Sequence, residues 1–115
     1  MQTENPKIGI IGCGAATEKL HLPALATLRL TPHLLVDPNL QRAQQLAEKF
    51  NVARVAETYE SSIDGIDAAI IAVPHHLHAR VSSDLLRRGI HVLVEKPLAP
   101  TEAECREVVE AARAS

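Results

Sequence analysis

Aromatic residues are scarce in this sequence, and tryptophan is absent. Phe50 and Tyr59 are its single phenylalanine and tyrosine, and aromatics make up 2% of the chain. Nucleic-acid-binding modules often stack bases on exposed aromatic rings, so the composition disfavours that class of protein. A net charge of -2 and a pI near 6.3 disfavour a surface that binds polyanions. We therefore expect no nucleic-acid partner.

Long apolar runs and a cysteine framework are also missing. No segment approaches the roughly 18–20 apolar residues that span a bilayer, and the N-terminal MQTENPK lacks the basic-then-apolar order of a secretory signal. The two cysteines, Cys13 and Cys105, are too few for a disulfide framework. We expect a cytoplasmic protein with reduced thiols and no membrane partner.

Short apolar runs alternate with helical patterns along the chain. The runs that read as strands are residues 7–12, 33–37, 53–55, 67–73 and 91–94. Helical periodicity follows over 15–29, with a bend or a break near Pro23, and again over 40–50, after Leu77 and after Thr101. Strands that are apolar on both faces and alternate with helices predict a doubly wound parallel α/β sheet of the Rossmann type. We expect about five strands in the order 3-2-1-4-5, with helices on both faces and ligand binding where strands 1 and 4 end.

The first strand ends in a glycine-rich turn, GCGAAT. Gly12 permits a tight turn, and Gly14 has no side chain to obstruct a pyrophosphate. Ala15 and Ala16 open the next helix, where N–H groups and a partial positive charge favour an anion. The turn predicts a dinucleotide site, and the alternative is a purely structural βα turn.

Two residues of this turn depart from a simple fingerprint. Thr17 occupies the third position, where glycine or alanine serves close helix–strand packing, so we expect slightly wider packing there. Cys13 lies between the two glycines, and we interpret it as a spacer whose side chain lies near the cofactor.

An acidic residue ends the second strand. Asp37 can accept both adenosine ribose hydroxyls and would repel a 2′-phosphate, which favours NAD and leaves NADP possible. Its alternative role is to start the turn at Pro38. Arg42 is near enough to meet a 2′-phosphate, but its simpler interpretation is a solvated helix face.

The fourth and fifth strands also end in polar residues. Pro74, His75, His76 and His78 follow strand 4, and His75 and His76 could touch the cofactor. We expect no metal, because no second cluster has the spacing of zinc ligands. Lys96, within Glu-Lys-Pro after strand 5, could hydrogen-bond a substrate hydroxyl or exchange a proton, and its alternative is an ordinary surface lysine.

The segments GCGAATEKLHLPAL, LLVDPNLQRAQQLAEKF, AAIIAVPHHLHA and GIHVLVEKPLA resemble the N-terminal domain of the glucose–fructose oxidoreductase and inositol dehydrogenase (Gfo/Idh/MocA) family. The resemblance covers nearly all of residues 7–115, with His75 in place of a usual asparagine. The family comprises NAD(P)-dependent oxidoreductases of sugars, cyclitols and related molecules. The resemblance implies that Lys96 is catalytic, contacting nicotinamide ribose and substrate. It also implies cofactor contacts from Gly12, Gly14, Asp37, Pro74, His75, His78, Glu95, Lys96 and Pro97.

The resemblance also bears on the whole protein. We expect residues 1–115 to be the dinucleotide-binding domain of a truncated enzyme that lacks its C-terminal substrate domain. The parent would transfer hydride between a nicotinamide cofactor and a sugar-like substrate, while the isolated chain would bind NAD weakly and not turn over. An unpaired apolar edge beyond strand 5 favours a homo-oligomer. The alternatives are a free-standing NAD-binding module for sensing or partner binding, and a Rossmann-like domain for another adenosyl ligand, which leaves Lys96 unexplained.

Overall fold

The fold is built on one parallel sheet. The computed structural model describes residues 6–95 and 101–114. Within them the strands are β1 (Ile8–Ile11), β2 (Leu34–Val36), β3 (Arg54–Ala56), β4 (Ala68–Ile71) and β5 (His91–Val94). All neighbouring strands are parallel, and their order is β3-β2-β1-β4-β5. The predicted α/β class and the order 3-2-1-4-5 are confirmed, so the winding reverses between β1 and β4.

Four α-helices connect and cover these strands in the described part of the chain. They are α1 (Leu22–Thr27), α2 (Leu40–Phe50), α3 (His78–Arg87) and α4 (Glu102–Ala114). A short 3₁₀ turn over His75–Leu77 precedes α3. No helix in residues 6–95 or 101–114 combines the length and the apolar character needed to cross a membrane.

The helical segment after β1 is not uniform. It begins at residues 15–16 and passes through a π-helical turn, Thr17–His21, before α1. The N–H of Leu22 bonds to the carbonyl of Thr17, five residues back, and Pro23 follows at once. Because proline has no N–H and its ring crowds the preceding turn, the wider π turn accommodates it without ending the helix. The helix therefore continues past Pro23, and the irregularity near this residue is the π turn that precedes it.

Apolar side chains cover the sheet on both faces. Ile10 and Leu35 pack with Leu22 and Leu46 from the helices on one face. The opposite face has a second cluster, which includes Ile11, Val36, Ile63, Ile71 and Leu85. Burial of each such side chain contributes about 1.5–3 kcal/mol. Since both faces are buried, the central strands have continuous apolar runs rather than alternation.

The start of α4 agrees with the capping pattern in the sequence. The hydroxyl of Thr101 accepts a hydrogen bond from the backbone N–H of Glu104 at 3.2 Å and donates one to its carboxylate at 3.1 Å. Val108 then packs against Ala79 of α3, with Cys105 at the margin of this contact. The two helices after β4 and β5 therefore pack together.

One hydrogen-bonded group fastens the loop after β3 to α3. Tyr59 is 8% exposed, and its hydroxyl donates to Asp84 at 2.8 Å. The guanidinium of Arg88 lies 5.8 Å from the tyrosine ring centroid. Burial first, and then the hydrogen bond to Asp84, raises the pKa of Tyr59 to about 12.

This arrangement predicts that Tyr59 ionises at a higher pH than a free tyrosine does. Tyr59 is the sole tyrosine, so tyrosinate absorbance reports this group alone. The folded pKa of about 12 lies above the unfolded value of about 10, so the stabilisation is complete below pH of about 10 and is lost as pH rises through 12. Tyr59→Phe should reduce the free energy of unfolding at neutral pH by about 1 kcal/mol, measured with urea. A native midpoint near that of free tyrosine would contradict the assignment.

Candidate functional site

A cleft of about 590 Å³ opens where β1 and β4 part at their carboxyl ends. Its volume is within the range of small-molecule sites. The walls come from the turn after β1, the end of β2, the loop after β3, and the turn between β4 and α3. Seven residues singled out from the sequence line this cleft: Gly12, Gly14, Ala15, Ala16, Asp37, Pro74 and His75.

The two glycines of the turn are required for different reasons. Gly12 has a φ of +108°, and its N–H donates to the carbonyl of Val36 at 2.7 Å. A Cβ at Gly12 would lie 2.3 Å from the carbonyl oxygen of Ala72, so no larger residue fits. A Cβ at Gly14 would meet nothing within 4 Å, and the backbone there faces open space. Gly12 therefore serves the close approach of two strand ends, and Gly14 leaves room for a ligand.

The first N–H groups of the helix after the turn have no carbonyl partner within that helix. Its first bond runs from the N–H of Glu18 to the carbonyl of Gly14 at 3.1 Å. The N–H groups of residues 15–17 therefore precede the ladder, as at any helix start. They lie at the positive end of the helix dipole and at the cleft, which favours an anionic group there.

Thr17 stabilises the turn with its side chain. It is fully buried, and its hydroxyl donates to the carbonyl of Gly12 at 2.6 Å. A glycine or alanine at this position could not make this bond. The sequence drew attention to the bulk of Thr17 and missed the hydroxyl, because the bond depends on the geometry of the turn.

The carboxylate of Asp37 starts the turn after β2, and Asp37 also lines the cleft, where its contact with a ribose stays a prediction. One oxygen accepts from the N–H of Asn39 at 2.8 Å, which starts the turn after β2. The other accepts from the N–H of Cys13 at 2.8 Å, and the residue lines the cleft. An ionised carboxylate has about four acceptor positions, so these bonds leave capacity for hydroxyl groups of a ligand.

The side chain of Cys13 lies in the core. It is 1% exposed, packs with Ile10 and Leu35, and its sulfur is 3.7 Å from the carbonyl of Val36. Cys13 is nevertheless among the residues that line the cleft, so its proximity to the cofactor stays a prediction. Burial, and then the charge of Asp37, raises the pKa of the thiol to about 12.

The side chain of Arg42 makes hydrogen bonds within the protein, so Arg42 does not belong to a solvated helix face. Its Nε donates to the carbonyl of Cys13 at 2.9 Å, and its Nη2 donates to Glu18 at 2.7 Å. Lys49 lies 3.5 Å from the other oxygen of Glu18. Hydrogen bonding from Arg42, and then its charge, lowers the pKa of Glu18 below its ordinary value. No sequence pattern pointed to this pair, since helices after two different strands supply its members.

The histidines after β4 separate into different environments. His75 lines the cleft and His76 is exposed. His78 is 1% exposed, its Nε2 lies 2.9 Å from the carbonyl of Val73, and it does not line the cleft. The rings of His75 and His78 meet edge-on with centroids 5.4 Å apart. In the described ranges, no three His, Cys, Asp or Glu side chains cluster as metal ligands would.

The end of β5 approaches the helix that follows the glycine-rich turn. One carboxylate oxygen of Glu95 lies 3.5 Å from Nε2 of His21. Glu95 is not among the residues that line the cleft. Lys96 and Pro97, which complete the Glu-Lys-Pro motif, lie outside the described residues.

The close approach at Gly12 predicts a large effect of one methyl group. Gly12→Ala places a Cβ against the carbonyl of Ala72 and imposes a positive φ on alanine, so we expect a loss of about 3 kcal/mol or more in unfolding free energy. Gly14→Ala, with open space around it, should remain within about 1 kcal/mol of the wild type. Urea unfolding of both variants measures this contrast, and equal losses would contradict it.

The two thiols should differ in reactivity. Cys13 is buried with a pKa of about 12, whereas Cys105 is partly exposed. At neutral pH we expect alkylation of Cys13 to be at least about tenfold slower than that of Cys105, because the thiolate is the reactive form. Timed iodoacetamide labelling with peptide mapping measures both rates, and urea should remove the difference. Equal rates in the folded protein would contradict the burial of Cys13.

Known proteins share this fold and are similar to this chain in sequence. A dTDP-3,4-didehydro-2,6-dideoxy-alpha-D-glucose 3-reductase of Streptomyces violaceoruber is 34% identical over 110 residues, which cover 93% of this chain and 32% of that protein. KijD10, a 3-ketoreductase from Actinomadura kijaniata solved with TDP-benzene and NADP, is 33% identical with a TM-score of 0.85, over 96% of this chain and 36% of that one. The WlbA dehydrogenase from Bordetella pertussis, solved with NADH and UDP-GlcNAcA, is 25% identical with a TM-score of 0.87. The match covers 96% of this chain and 35% of that one.

The chain spans about a third of the length of these proteins. The family described as an oxidoreductase family with an NAD-binding Rossmann fold matches residues 6–115. That match agrees with the parallel sheet, its strand order and the glycine-rich turn at the point where the winding reverses. The chain therefore belongs to the Gfo/Idh/MocA oxidoreductase family, and it is the NAD-binding Rossmann fold of that family.

Proposed function

We propose that this chain is the cofactor-binding part of an enzyme that transfers hydride between a nicotinamide dinucleotide and a sugar, cyclitol or related hydroxyl or carbonyl compound. The observation that carries the proposal is the open backbone at Gly14, beside the helix start and within the cleft. The similarity to a dTDP-sugar 3-reductase supports the substrate class. The 3-ketoreductase solved with NADP and the dehydrogenase solved with NADH and UDP-GlcNAcA support the cofactor.

The residues of the cleft fit a dinucleotide. The space that a Cβ would fill at Gly14 allows a diphosphate to approach the backbone, and the N–H groups of Ala15 and Ala16 can donate to it. Gly12 holds this turn against the end of β4. Asp37 would accept hydrogen bonds from the ribose hydroxyls of the adenosine half. When bound, the cofactor supplies the centre that accepts or donates hydride.

The residues after β4 and β5 would serve the nicotinamide half. Pro74 and His75 line the cleft, and His78 would position this turn through the carbonyl of Val73. Glu95, beside His21, would orient the corner that continues into Lys96 and Pro97. We assign Lys96 as the catalytic residue: it would hydrogen-bond the reacting oxygen and take its proton as hydride leaves the substrate carbon.

Two further expectations concern the whole protein. The exposed side chain of Leu93 on β5, 61% accessible, supports an apolar edge that another segment or subunit covers. The homo-oligomer and the cytoplasmic location remain predictions from the sequence.

Titration of the chain with NADH, followed by cofactor fluorescence, tests the proposed function. Gly14→Ala should keep the fold but weaken NADH binding at least about tenfold, because its methyl group occupies the diphosphate approach. Gly9→Ala is the matched control, since its Cβ would make an ordinary 3.4 Å contact with the side chain of Ile66 and lies away from the cleft. It should bind NADH as the wild type does.

Two results would contradict the proposal. The first is a folded wild-type chain that binds neither NADH nor NADPH at millimolar concentrations. The second is equal NADH affinity in Gly14→Ala and wild type, which would place the dinucleotide away from the turn. Circular dichroism of each variant confirms that it is folded.

A further inference from the structure

The preference between NAD and NADP depends on groups near the adenosine ribose, since the two cofactors differ only by the 2′-phosphate. Three carboxylates line the cleft, those of Asp37, Glu57 and Glu60, and of the described residues lining it Arg80 is the one with a lysine or arginine side chain. The cleft wall itself therefore offers a 2′-phosphate more repulsion than attraction. A second cation, Arg42, lies just behind this wall.

Arg42 is near enough to the ribose side to matter. The backbone N–H of Cys13 bonds to Asp37, and the carbonyl of the same residue bonds to the guanidinium of Arg42. Both contacts are made by the backbone of Cys13. The carboxylate oxygen of Asp37 and Nε of Arg42 are therefore no more than about 10 Å apart. A phosphate on the ribose that Asp37 holds would thus lie within the range of a flexible arginine side chain.

The guanidinium is nevertheless bonded to Glu18, and neither residue is among those that line the cleft. Nη2 of Arg42 donates to Oε1 of Glu18 at 2.7 Å, with the two side chains 30% and 28% exposed. The same carboxylate faces Lys49 at 3.5 Å, so it holds two cations of α2. The pKa of Glu18 is lowered chiefly by its hydrogen bond from Arg42, which agrees with a contact between two charged groups.

We propose that Glu18 determines a preference for NAD over NADP by holding Arg42 away from the ribose. Glu18 is a positioning residue: it contacts neither cofactor and acts through Arg42. Loss of its charge frees the Nη groups to turn toward a 2′-phosphate, where charge-assisted hydrogen bonds form. The bond from Nε to Cys13 does not involve Glu18, so the glycine-rich turn keeps its position. This inference rests on the proposed dinucleotide site and adds the determinant of its selectivity.

The test measures dissociation constants for NADH and NADPH with three variants of the chain. Glu18→Gln should improve the affinity for NADPH relative to NADH about tenfold. Adding Arg42→Met to that variant should abolish the gain, which separates release of Arg42 from a general change in charge. The matched control is Glu48→Gln, which removes the same charge from an exposed position of α2 and should leave the ratio unchanged.

Arg42→Met alone gives an independent readout that does not require Glu18→Gln to fold. If Glu18 keeps Arg42 from the ribose in the wild type, this variant weakens NADH and NADPH binding in equal proportion, through the turn. A selective loss of NADPH affinity would show that Arg42 already binds the 2′-phosphate, and would overturn the inference.

The other outcomes are also decisive. Retained NADH binding with an unchanged ratio in Glu18→Gln overturns the role of Glu18 and leaves the proposed function intact. A gain that survives in the double variant overturns the role of Arg42. A folded wild-type chain that binds neither cofactor overturns the proposed function itself.

Discussion

The contact between the turn at Gly12 and the backbone of Ala72 is the constraint on which the cleft depends. These two segments follow the neighbouring strands β1 and β4, whose crossovers run to opposite sides of the sheet. A side chain at residue 12 would fill the space that the carbonyl of Ala72 occupies, 2.3 Å from an ideal Cβ. With glycine there, the two strand ends stay together and the chain beyond them diverges. The opening between the diverging segments is the cleft.

The turn beyond Gly12 is held from several directions through one residue. Cys13 donates its N–H to Asp37, accepts from Arg42 at its carbonyl, and buries its side chain in the core. Thr17 bonds to the carbonyl of Gly12 from the helix side. The end of β2 and the start of α2 therefore belong to the same hydrogen-bonded unit as the turn. A site held in this way loses little conformational freedom when a ligand binds.

The periodicity and composition of the sequence were sufficient to predict the architecture. They were not sufficient to predict these hydrogen bonds. Apolar runs between helices predicted five parallel strands and their order, because strands that alternate with helices favour a doubly wound parallel sheet. The glycines and the acid after β2 were found from local motifs. The burial of Cys13, the bond of Thr17 and the Glu18–Arg42 pair were missed, since each joins side chains to groups that only the folded chain brings together. The π turn was anticipated only as a bend or a break near Pro23, because the choice between a broken and a widened helix depends on tertiary packing.

The placement of Asp37 and Arg42 on the two sides of Cys13 has a consequence for how selectivity could change within this fold. Opposite charges in such proximity would pair directly if nothing else held them, and the carboxylate would then be less available to ribose hydroxyls. In the proposal above, Glu18 prevents this by giving the guanidinium another carboxylate partner. The carboxylate of Asp37 keeps its two backbone donors and its remaining acceptor capacity. A single substitution at Glu18 would thus alter two properties together: the freedom of Arg42 and the availability of Asp37. The glycine-rich turn, Asp37 and Arg42 are joined through the residue between the two glycines, so the proposed selectivity would depend on the hydrogen-bonded unit and not on one acidic side chain.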